Sequence, residues 1–208
     1  MQKIVFATGN AGKMREIKMI LADLQIGGEP VELLSMKEAG ITADIIEDGS
    51  TFTENALIKA KAVAAFVPDA IVMADDSGLE VDYLNKEPGI YSARYLGEDT
   101  SYREKNADII RRLEKVADEQ RSGRFVCAIA ACLPDGNSLT CVETIEGRIG
   151  YEERGQNGFG YDPIFVVPAY GKTTAELTDE EKNAISHRGK ALRTMKQKLQ
   201  AYYESQNV

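Results

Sequence analysis

The chain has 208 residues, of which 43% are hydrophobic and 28% are charged. These proportions are ordinary for a soluble globular protein, and the length predicts one domain with two lobes rather than two separate domains. The formal net charge of −8 argues against a nucleic-acid-binding surface, because such a surface must neutralise many phosphates.

The cysteines and the N-terminus predict the compartment. Cys127, Cys132 and Cys141 lack metal-pair spacing and lie in predicted strands, so we expect buried free thiols. The apolar run at residues 4–7 is too short for a signal peptide, and no later run reaches membrane-spanning length. We therefore expect a cytoplasmic protein without a membrane partner.

The first predicted elements are a buried strand over residues 3–7, a tight turn and a helix. The turn and helix start consist of Thr8, Gly9, Asn10, Ala11, Gly12 and Lys13. Backbone N–H groups and the dipole at a helix start favour an anion, so the segment is either a phosphate site or an ordinary structural turn. It is not a P-loop, because the spacing is too short and no Ser or Thr follows the lysine.

A second helix is predicted from Thr51 and Glu54, which have capping-box spacing, to Val67. An apolar run then leads to Asp75 and Asp76, which we expect where a buried strand ends. Carboxylates at that position suit a hard cation, whereas a solvated acidic turn is the alternative. Glu47 is a further candidate ligand, since Mg²⁺ commonly uses one or two carboxylates plus substrate phosphates.

The middle of the chain predicts a mixed sheet. Alternation from Leu79 to Leu84 predicts that the acidic strand continues or re-enters until Pro88. Ser101 begins a third, structural helix in another capping box. Strands over residues 124–133 and 139–149 flank a turn, which makes an antiparallel hairpin beside the βα units.

The last quarter contains two further candidate regions. Glycines bracket Phe159, whose ring could stack on a flat ligand, although a glycine-rich entry to a strand at residues 164–167 is the alternative. Thr178 begins the final helical region, which we expect to break once, at Ser186 and Gly189. The chain's only histidine, His187, then lies with Arg188 in a helical first turn, with donors facing outward toward a cleft.

Six segments, in order from residue 8 to residue 188, resemble the inosine/xanthosine triphosphate pyrophosphatases. They are Thr8-Gly9-Asn10-x-x-Lys13, Phe52-x-Glu54-Asn55-Ala56, Ala74-Asp75-Asp76-Ser77-Gly78-Leu79, Pro88-Gly89-Ile90-Tyr91-Ser92-Ala93-Arg94, Gly158-Phe159-Gly160-Tyr161-Asp162-Pro163 and Ser186-His187-Arg188. They are spread over nearly the whole chain.

The resemblance implies an elongated α/β fold with a mixed, twisted sheet flanked by helices. It implies a single two-lobed domain over residues 1–208 with a central cleft, and a homodimer. The implied reaction is Mg²⁺-dependent attack of water on the α-phosphorus of ITP, dITP or XTP, which yields a nucleoside monophosphate and pyrophosphate.

The resemblance also implies roles for residues. Thr8 to Lys13 would hold phosphates, Asp76 would be metal ligand and proton acceptor, and Ser77 would contact substrate. Nucleotide-binding residues would be Phe159, Gly160, Tyr161, Asp162, Lys182, His187 and Arg188. His187 or Arg188 would donate a hydrogen bond to O6 of the base. Adenine carries an amino group at that position, which cannot accept such a bond. The rival hypotheses are a pyrophosphatase for modified pyrimidine nucleotides and a nucleotide-binding module without turnover.

Overall fold

The computed structural model describes residues 2–206. Within this range eight strands form one sheet in the order β2-β3-β1-β4-β5-β6-β7-β8. The strands are β1 (Gln2–Phe6), β2 (Gln25–Ile26), β3 (Glu29–Ser35), β4 (Ile71–Val81), β5 (Ser122–Cys132), β6 (Ser138–Ile149), β7 (Phe165–Val167) and β8 (Lys172–Thr173). The helices are α1 (Ala11–Ile20), α2 (Phe52–Ala64), α3 (Tyr102–Arg112), α4 (Asp179–Ile185) and α5 (His187–Ser205). The predicted α/β class with a mixed sheet is confirmed.

The chain divides into two compact units. Unit 1 contains the chain up to Asp76, Cys127–Glu143 and the chain from Arg188 onward. Unit 2 contains Ser77–Val126 and Thr144–His187. Strands β4, β5 and β6 therefore each contribute residues to both units, and the chain passes from one unit to the other four times.

Unit 1 is built on parallel strands. β1 pairs with β3 on one side and with β4 on the other, where Ile4 is opposite Ile71. Where β1 and β4 pair, residues 4–6 and 71–73 are apolar and buried on both faces, as is typical of parallel strands covered by helices. Ile17 of α1 and Leu192 of α5 belong to the same buried cluster, so two helices contribute to this core.

Unit 2 contains antiparallel pairs. β7 pairs with β6 and with β8, and its Phe165 lies in a buried cluster with Leu79 and Ile109. Gly147 of β6 makes this packing possible. A Cβ there would lie 2.5 Å from the Val166 carbonyl oxygen and 2.6 Å from the Phe165 ring, so only glycine fits.

A buried arginine connects the end of α3 with the end of β6. Arg121 is 0% exposed, and its guanidinium donates to the carbonyl oxygens of Ile149 at 2.9 Å, Leu113 at 2.5 Å and Gly150 at 2.6 Å. Burial lowers the pKa of Arg121, although arginine stays charged at all working pH values. The backbone around it consequently depends on one side chain for three hydrogen bonds.

The predicted helix starts are correct, with two details different. Ser101 and Thr178 form complete capping boxes. Thr51 is the N-cap of α2, but the Glu54 carboxylate accepts from Ser50, and the helix ends at Ala64, short of the predicted Val67. The break at Ser186 is confirmed, because its extended backbone separates α4 from α5.

Gly189 does not break the final helix and lies inside α5, so that part of the prediction is wrong. A single glycine costs a helix only about 1 kcal/mol, which a long helix with a buried face tolerates.

The predicted state of the cysteines is confirmed, since Cys127, Cys132 and Cys141 are buried free thiols. Burial raises the pKa of the Cys141 thiol to about 11. In residues 2–206 no helix combines the length and apolarity needed to span a membrane.

Candidate active site

The two adjacent aspartates lie in the middle of β4, not at its end as predicted. The strand continues through Ser77 and Gly78 to Val81, because Leu79 and Val81 alternate into the core and keep this part extended. The prediction that the acidic strand continues through residues 79–84 is therefore correct up to Val81. Asp75 is 1% exposed and Asp76 is 9% exposed, so both carboxylates require partners inside the protein.

Asp75 lies in a buried network of charges. Its carboxylate contacts the Lys13 ammonium at 2.9 Å and the Arg188 guanidinium at 3.3 Å, and Arg188 also donates to Glu16 at 2.6 Å. Burial opposes ionisation of Asp75, but Lys13 and Arg188 outweigh it and hold its pKa well below the usual range. Asp75 is thus an anion at every working pH.

Arg188 does not face outward, which corrects the prediction for its donors. The residue is 3% exposed, and its guanidinium lies between Glu16 and Asp75. Two buried carboxylates need a cation that can bond to both, and the planar guanidinium does this better than an ammonium. These contacts outweigh the unfavourable position of a cation at a helix start.

Asp76 has a different set of partners. Its Oδ2 accepts from the Asn55 amide at 3.1 Å, and its Oδ1 lies 3.7 Å from the Lys59 ammonium. Lys59 also bonds to Glu47 at 2.8 Å. Burial raises the pKa of Asp76. The positive charge of Lys59 lowers this pKa and the negative charge of Glu47 raises it, and the net shift is upward. The two neighbouring aspartates therefore have pKa values shifted in opposite directions.

Asn55 connects Asp76 with the loop that carries Glu47. The backbone N–H of Gly49 donates to Asn55 Oδ1 at 2.8 Å, and a Cβ on Gly49 would lie only 2.7 Å from that oxygen. Asn55 is 1% exposed and uses both ends of its amide in this bridge. The glycine and the amide together hold the loop close to α2.

The sequence interpretation gave no role to Glu16, Asn55 or Lys59. Helical spacing was the available signal. Glu16 lies three residues after Lys13, and Asn55 and Lys59 are four residues apart, so each pair occupies one helix face. A buried charged residue on the same face as a predicted phosphate ligand is a reason to expect an ion pair.

The three carboxylates predicted as metal ligands do not form one cluster. Across residues 2–206, no group of three or more His, Cys, Asp and Glu side chains is arranged to hold a metal ion. Asp75 pairs with Lys13 and Arg188, while Glu47 and Asp76 share Lys59. These last two carboxylates fit Mg²⁺ chemically, because they supply hard oxygen donors and one more negative charge than Lys59 offsets.

The N-terminal turn has the predicted form. α1 begins at Ala11, and the Asn10 side chain caps it by accepting from the Lys13 N–H at 3.0 Å. Thr8 Oγ1 accepts from the Asn10 N–H at 3.1 Å. A Cβ on Gly9 would meet nothing within 4 Å, so crowding inside the described structure does not require glycine there.

In unit 2, Asp162 closes a short loop, residues 158–162, here called the aromatic loop. Its Oδ2 accepts from the Lys182 ammonium at 2.7 Å and from the Phe159 N–H at 2.8 Å, and its Oδ1 accepts from Thr174 at 2.8 Å. The Lys182 ammonium also lies 4.9 Å from the Phe159 ring centroid. The predicted residues Phe159, Asp162 and Lys182 are therefore one contacting group.

Gly158 is required in the aromatic loop. Its φ is +72°, and a Cβ would lie 2.2 Å from Asp162 Oδ2. Tyr161 is 4% exposed, and its hydroxyl donates to the Ser92 carbonyl oxygen at 2.7 Å. The Tyr161 hydroxyl therefore bonds within the protein.

His187 is the last residue of unit 2 and the first of α5. It is 6% exposed, less than an outward-facing donor would be, and its ring stacks on Phe125 at 4.9 Å with an interplanar angle of 21°. Phe125 in turn contacts Phe165 at 4.4 Å. Ser77 directly follows Asp76 in β4 and is the first residue of unit 2.

A mixed α/β sheet with buried carboxylates, lysines and an arginine around one central strand defines a protein suited to a phosphorylated ligand. The sequence model of the Ham1 family matches residues 4–198, and the chain belongs to that family.

Curated relatives and solved structures agree with this membership. A dITP/XTP pyrophosphatase from Clostridium perfringens is 47% identical over 204 residues, which cover 96% of this chain and 98% of that protein. One from Bacillus subtilis is 45% identical over 203 residues, 97% of this chain and 98% of that protein. The structure of a HAM1 protein from Coxiella burnetii has a TM-score of 0.84 at 42% identity, and covers 96% of this chain and 98% of its own.

Proposed function

We propose that this protein hydrolyses non-canonical purine nucleoside triphosphates, namely ITP, dITP and XTP, to the nucleoside monophosphate and pyrophosphate. The observation that carries the proposal is the buried Asp75–Asp76 pair of β4, with Lys13, Lys59 and Arg188 around it. The names of the full-length relatives support the substrate class.

The charges of unit 1 favour a divalent cation as a partner of the substrate. Lys13, Lys59 and Arg188 carry three positive charges, against four negative charges on Glu16, Glu47, Asp75 and Asp76, so the group has a net charge of −1. A triphosphate adds several more negative charges. We propose that Glu47 and Asp76 hold Mg²⁺, which would neutralise charge on the phosphates and on the leaving pyrophosphate.

The contacts support different roles for the two aspartates. In our proposal Asp76 accepts the proton of the water that attacks the α-phosphorus, and the bond to pyrophosphate breaks. Asp75 is bound by Lys13 and Arg188, so its role is to hold these cations in place. Lys13 and backbone N–H groups at the start of α1 would bind the phosphates.

Base recognition would belong to unit 2. We propose that Phe159 stacks on the purine and that His187 donates to O6, a bond that the 6-amino group of adenine cannot accept. Guanine also has O6, so excluding it would require a site without a partner for its 2-amino group. The contacts of Arg188 with Glu16 and Asp75 favour an indirect role for this residue.

A pyrophosphate-release assay tests the function. We expect faster release from ITP, dITP and XTP than from ATP and GTP, and loss of release when Mg²⁺ is chelated. Asp76→Asn should nearly abolish release, whereas Asp23→Asn, at an exposed ion pair with Lys196, should leave it unchanged.

Other outcomes would favour the rival functions. Nucleotide binding without release from any triphosphate would indicate a binding module. Preferential release from modified pyrimidine nucleotides would indicate a different pyrophosphatase.

We further propose a homodimer that acts in the cytoplasm, and the mass in solution measured by light scattering tests the dimer.

A further inference from the structure

One family-like segment, residues 88–94, has no role in the function proposed above; it is here called the strap. The strap is tied to the second half of β4. The backbone carbonyl oxygen of Glu87, just before the strap, accepts from the Val81 N–H at 3.1 Å. Within the strap, Ser92 Oγ accepts from the Leu79 N–H at 2.9 Å. A strand N–H thus bonds to a side chain where a strand partner would usually supply a carbonyl.

Ser92 contacts both the strand and the aromatic loop. Its hydroxyl donates to the Gly89 carbonyl oxygen at 2.6 Å, which fixes the side chain that accepts from Leu79. Its own carbonyl oxygen accepts from the Tyr161 hydroxyl at 2.7 Å. Ser92 is 4% exposed, so these bonds are shielded from competing water.

One face of α3 contacts the strap and the aromatic loop together. Lys105 donates from its ammonium to the Ala93 carbonyl oxygen at 2.6 Å, and Asn106 donates to the Gly160 carbonyl oxygen at 3.3 Å. The Tyr102 ring meets the Tyr161 ring edge-on, with centroids 5.3 Å apart. Residues 102, 105 and 106 share a helix face, so α3 braces both segments from one side.

We propose that Ser92 and Tyr161 are positioning residues for base selection. Through them the strap fixes the aromatic loop, and with it the Phe159 ring, relative to residues 77–81, the part of β4 that belongs to the same unit. The inference rests on the proposed function, because it concerns how that reaction distinguishes bases. Hydrogen bonds to a base are sensitive to small displacements, so a looser loop should reduce the preference for ITP before it reduces turnover.

The variant Tyr161→Phe removes one hydroxyl and leaves the ring packing intact. The control is Tyr95→Phe, because the Tyr95 hydroxyl also bonds within the protein, donating to Asp108 at 2.7 Å and accepting from Arg112 at 2.7 Å, and its ring packs against the same apolar cluster. For Tyr161→Phe we expect KM for ITP to rise about five- to tenfold with kcat within about twofold, as for one lost hydrogen bond. The ratio of kcat/KM for ITP to that for ATP should fall, and the control should keep the wild-type ratio.

Equal proportional losses for ITP and ATP, or a ratio unchanged from the control, would overturn the inference. If Tyr161→Phe does not fold, Ser92→Ala tests the same link from the strap, with the same fall in the ratio expected. Hydrogen exchange of the peptide covering residues 158–162 separates the two proposals. If the wild-type protein fails to hydrolyse ITP, the proposed function is wrong. Faster hydrogen exchange of this peptide in Tyr161→Phe than in Tyr95→Phe would still support the link between the strap and the aromatic loop. Equal exchange in the two variants would refute that link.

Discussion

Replacing Asp75 by asparagine should reduce stability, whereas the same change at Asp76 should remove activity. Asp75 is 1% exposed and contacts Lys13 at 2.9 Å and Arg188 at 3.3 Å. Asparagine keeps the shape but loses the charge. Removing one partner of a buried ion pair costs about 3–5 kcal/mol, because the remaining charge is left without compensation.

The expected loss for Asp75→Asn lies at the lower end of that range. Arg188 keeps its bond to Glu16 at 2.6 Å, and the Lys13 side chain is 18% exposed, so water partly replaces the lost carboxylate. We therefore expect about 3 kcal/mol. For a chain of this size the melting temperature should fall by about 6–12 °C.

Asp76→Asn should leave the free energy of unfolding within about 1 kcal/mol of wild type. Lys59 retains Glu47 at 2.8 Å, and Asn55 can still donate to the new amide oxygen. Burial raises the pKa of Asp76, which means that its ionised form destabilises the folded state at neutral pH. Removing this charge relieves that cost and offsets the weaker hydrogen bond.

Urea unfolding at pH 7, followed by circular dichroism, measures the two stabilities, and pyrophosphate release from ITP measures the two activities. Asp76→Asn should unfold at the wild-type midpoint and release almost no pyrophosphate. Asp75→Asn should unfold at a clearly lower urea concentration. Equal midpoints for the two variants would refute the different roles assigned to the adjacent carboxylates.

Three further predictions follow from single side chains. Arg121→Met should lower the free energy of unfolding by at least about 3 kcal/mol, since three carbonyl oxygens lose their donor. Arg103→Met, at an exposed position, should not lower it, and urea titration compares the two variants. Lys18 and Ser35 lower the pKa of Glu38 from 4.5 to about 2, so its stabilising effect is full above pH 4.5 and disappears as the pH falls through about 2. Acid unfolding of Glu38→Gln should be less pH-dependent over that window. Lys13→Ala should raise KM for ITP and ATP by the same factor if the lysine binds phosphate, as we propose; a changed ITP to ATP ratio would assign it to the base instead.

Local patterns predicted the helix starts because a cap depends on residues three positions apart. Ser101 and Thr178 are N-caps as expected, and Thr51 caps α2 although Glu54 bonds to Ser50. The same kind of reasoning placed Asp75 at a strand end, because Ser77-Gly78 has turn composition. Tertiary packing of Leu79 overrides that preference and keeps β4 extended.

Contacts between distant residues were outside the reach of sequence patterns. Arg188 and Asp75 are 113 residues apart, and nothing near Arg188 indicates that its guanidinium lies between two buried carboxylates. The bond from Tyr161 to Ser92 spans 69 residues. Motif resemblance brought these residues to attention, but only the structure assigns them partners.

The four passages of the chain between the two units limit how this protein can change by recombination. Unit 1 is assembled from three segments and unit 2 from two, with boundaries after residues 76, 126, 143 and 187. No single crossover in a gene could exchange one intact unit and keep the other, because every cut leaves at least one of the two units hybrid. Exchanging one unit intact therefore requires several simultaneous crossovers, whereas separate contiguous domains can be exchanged with one.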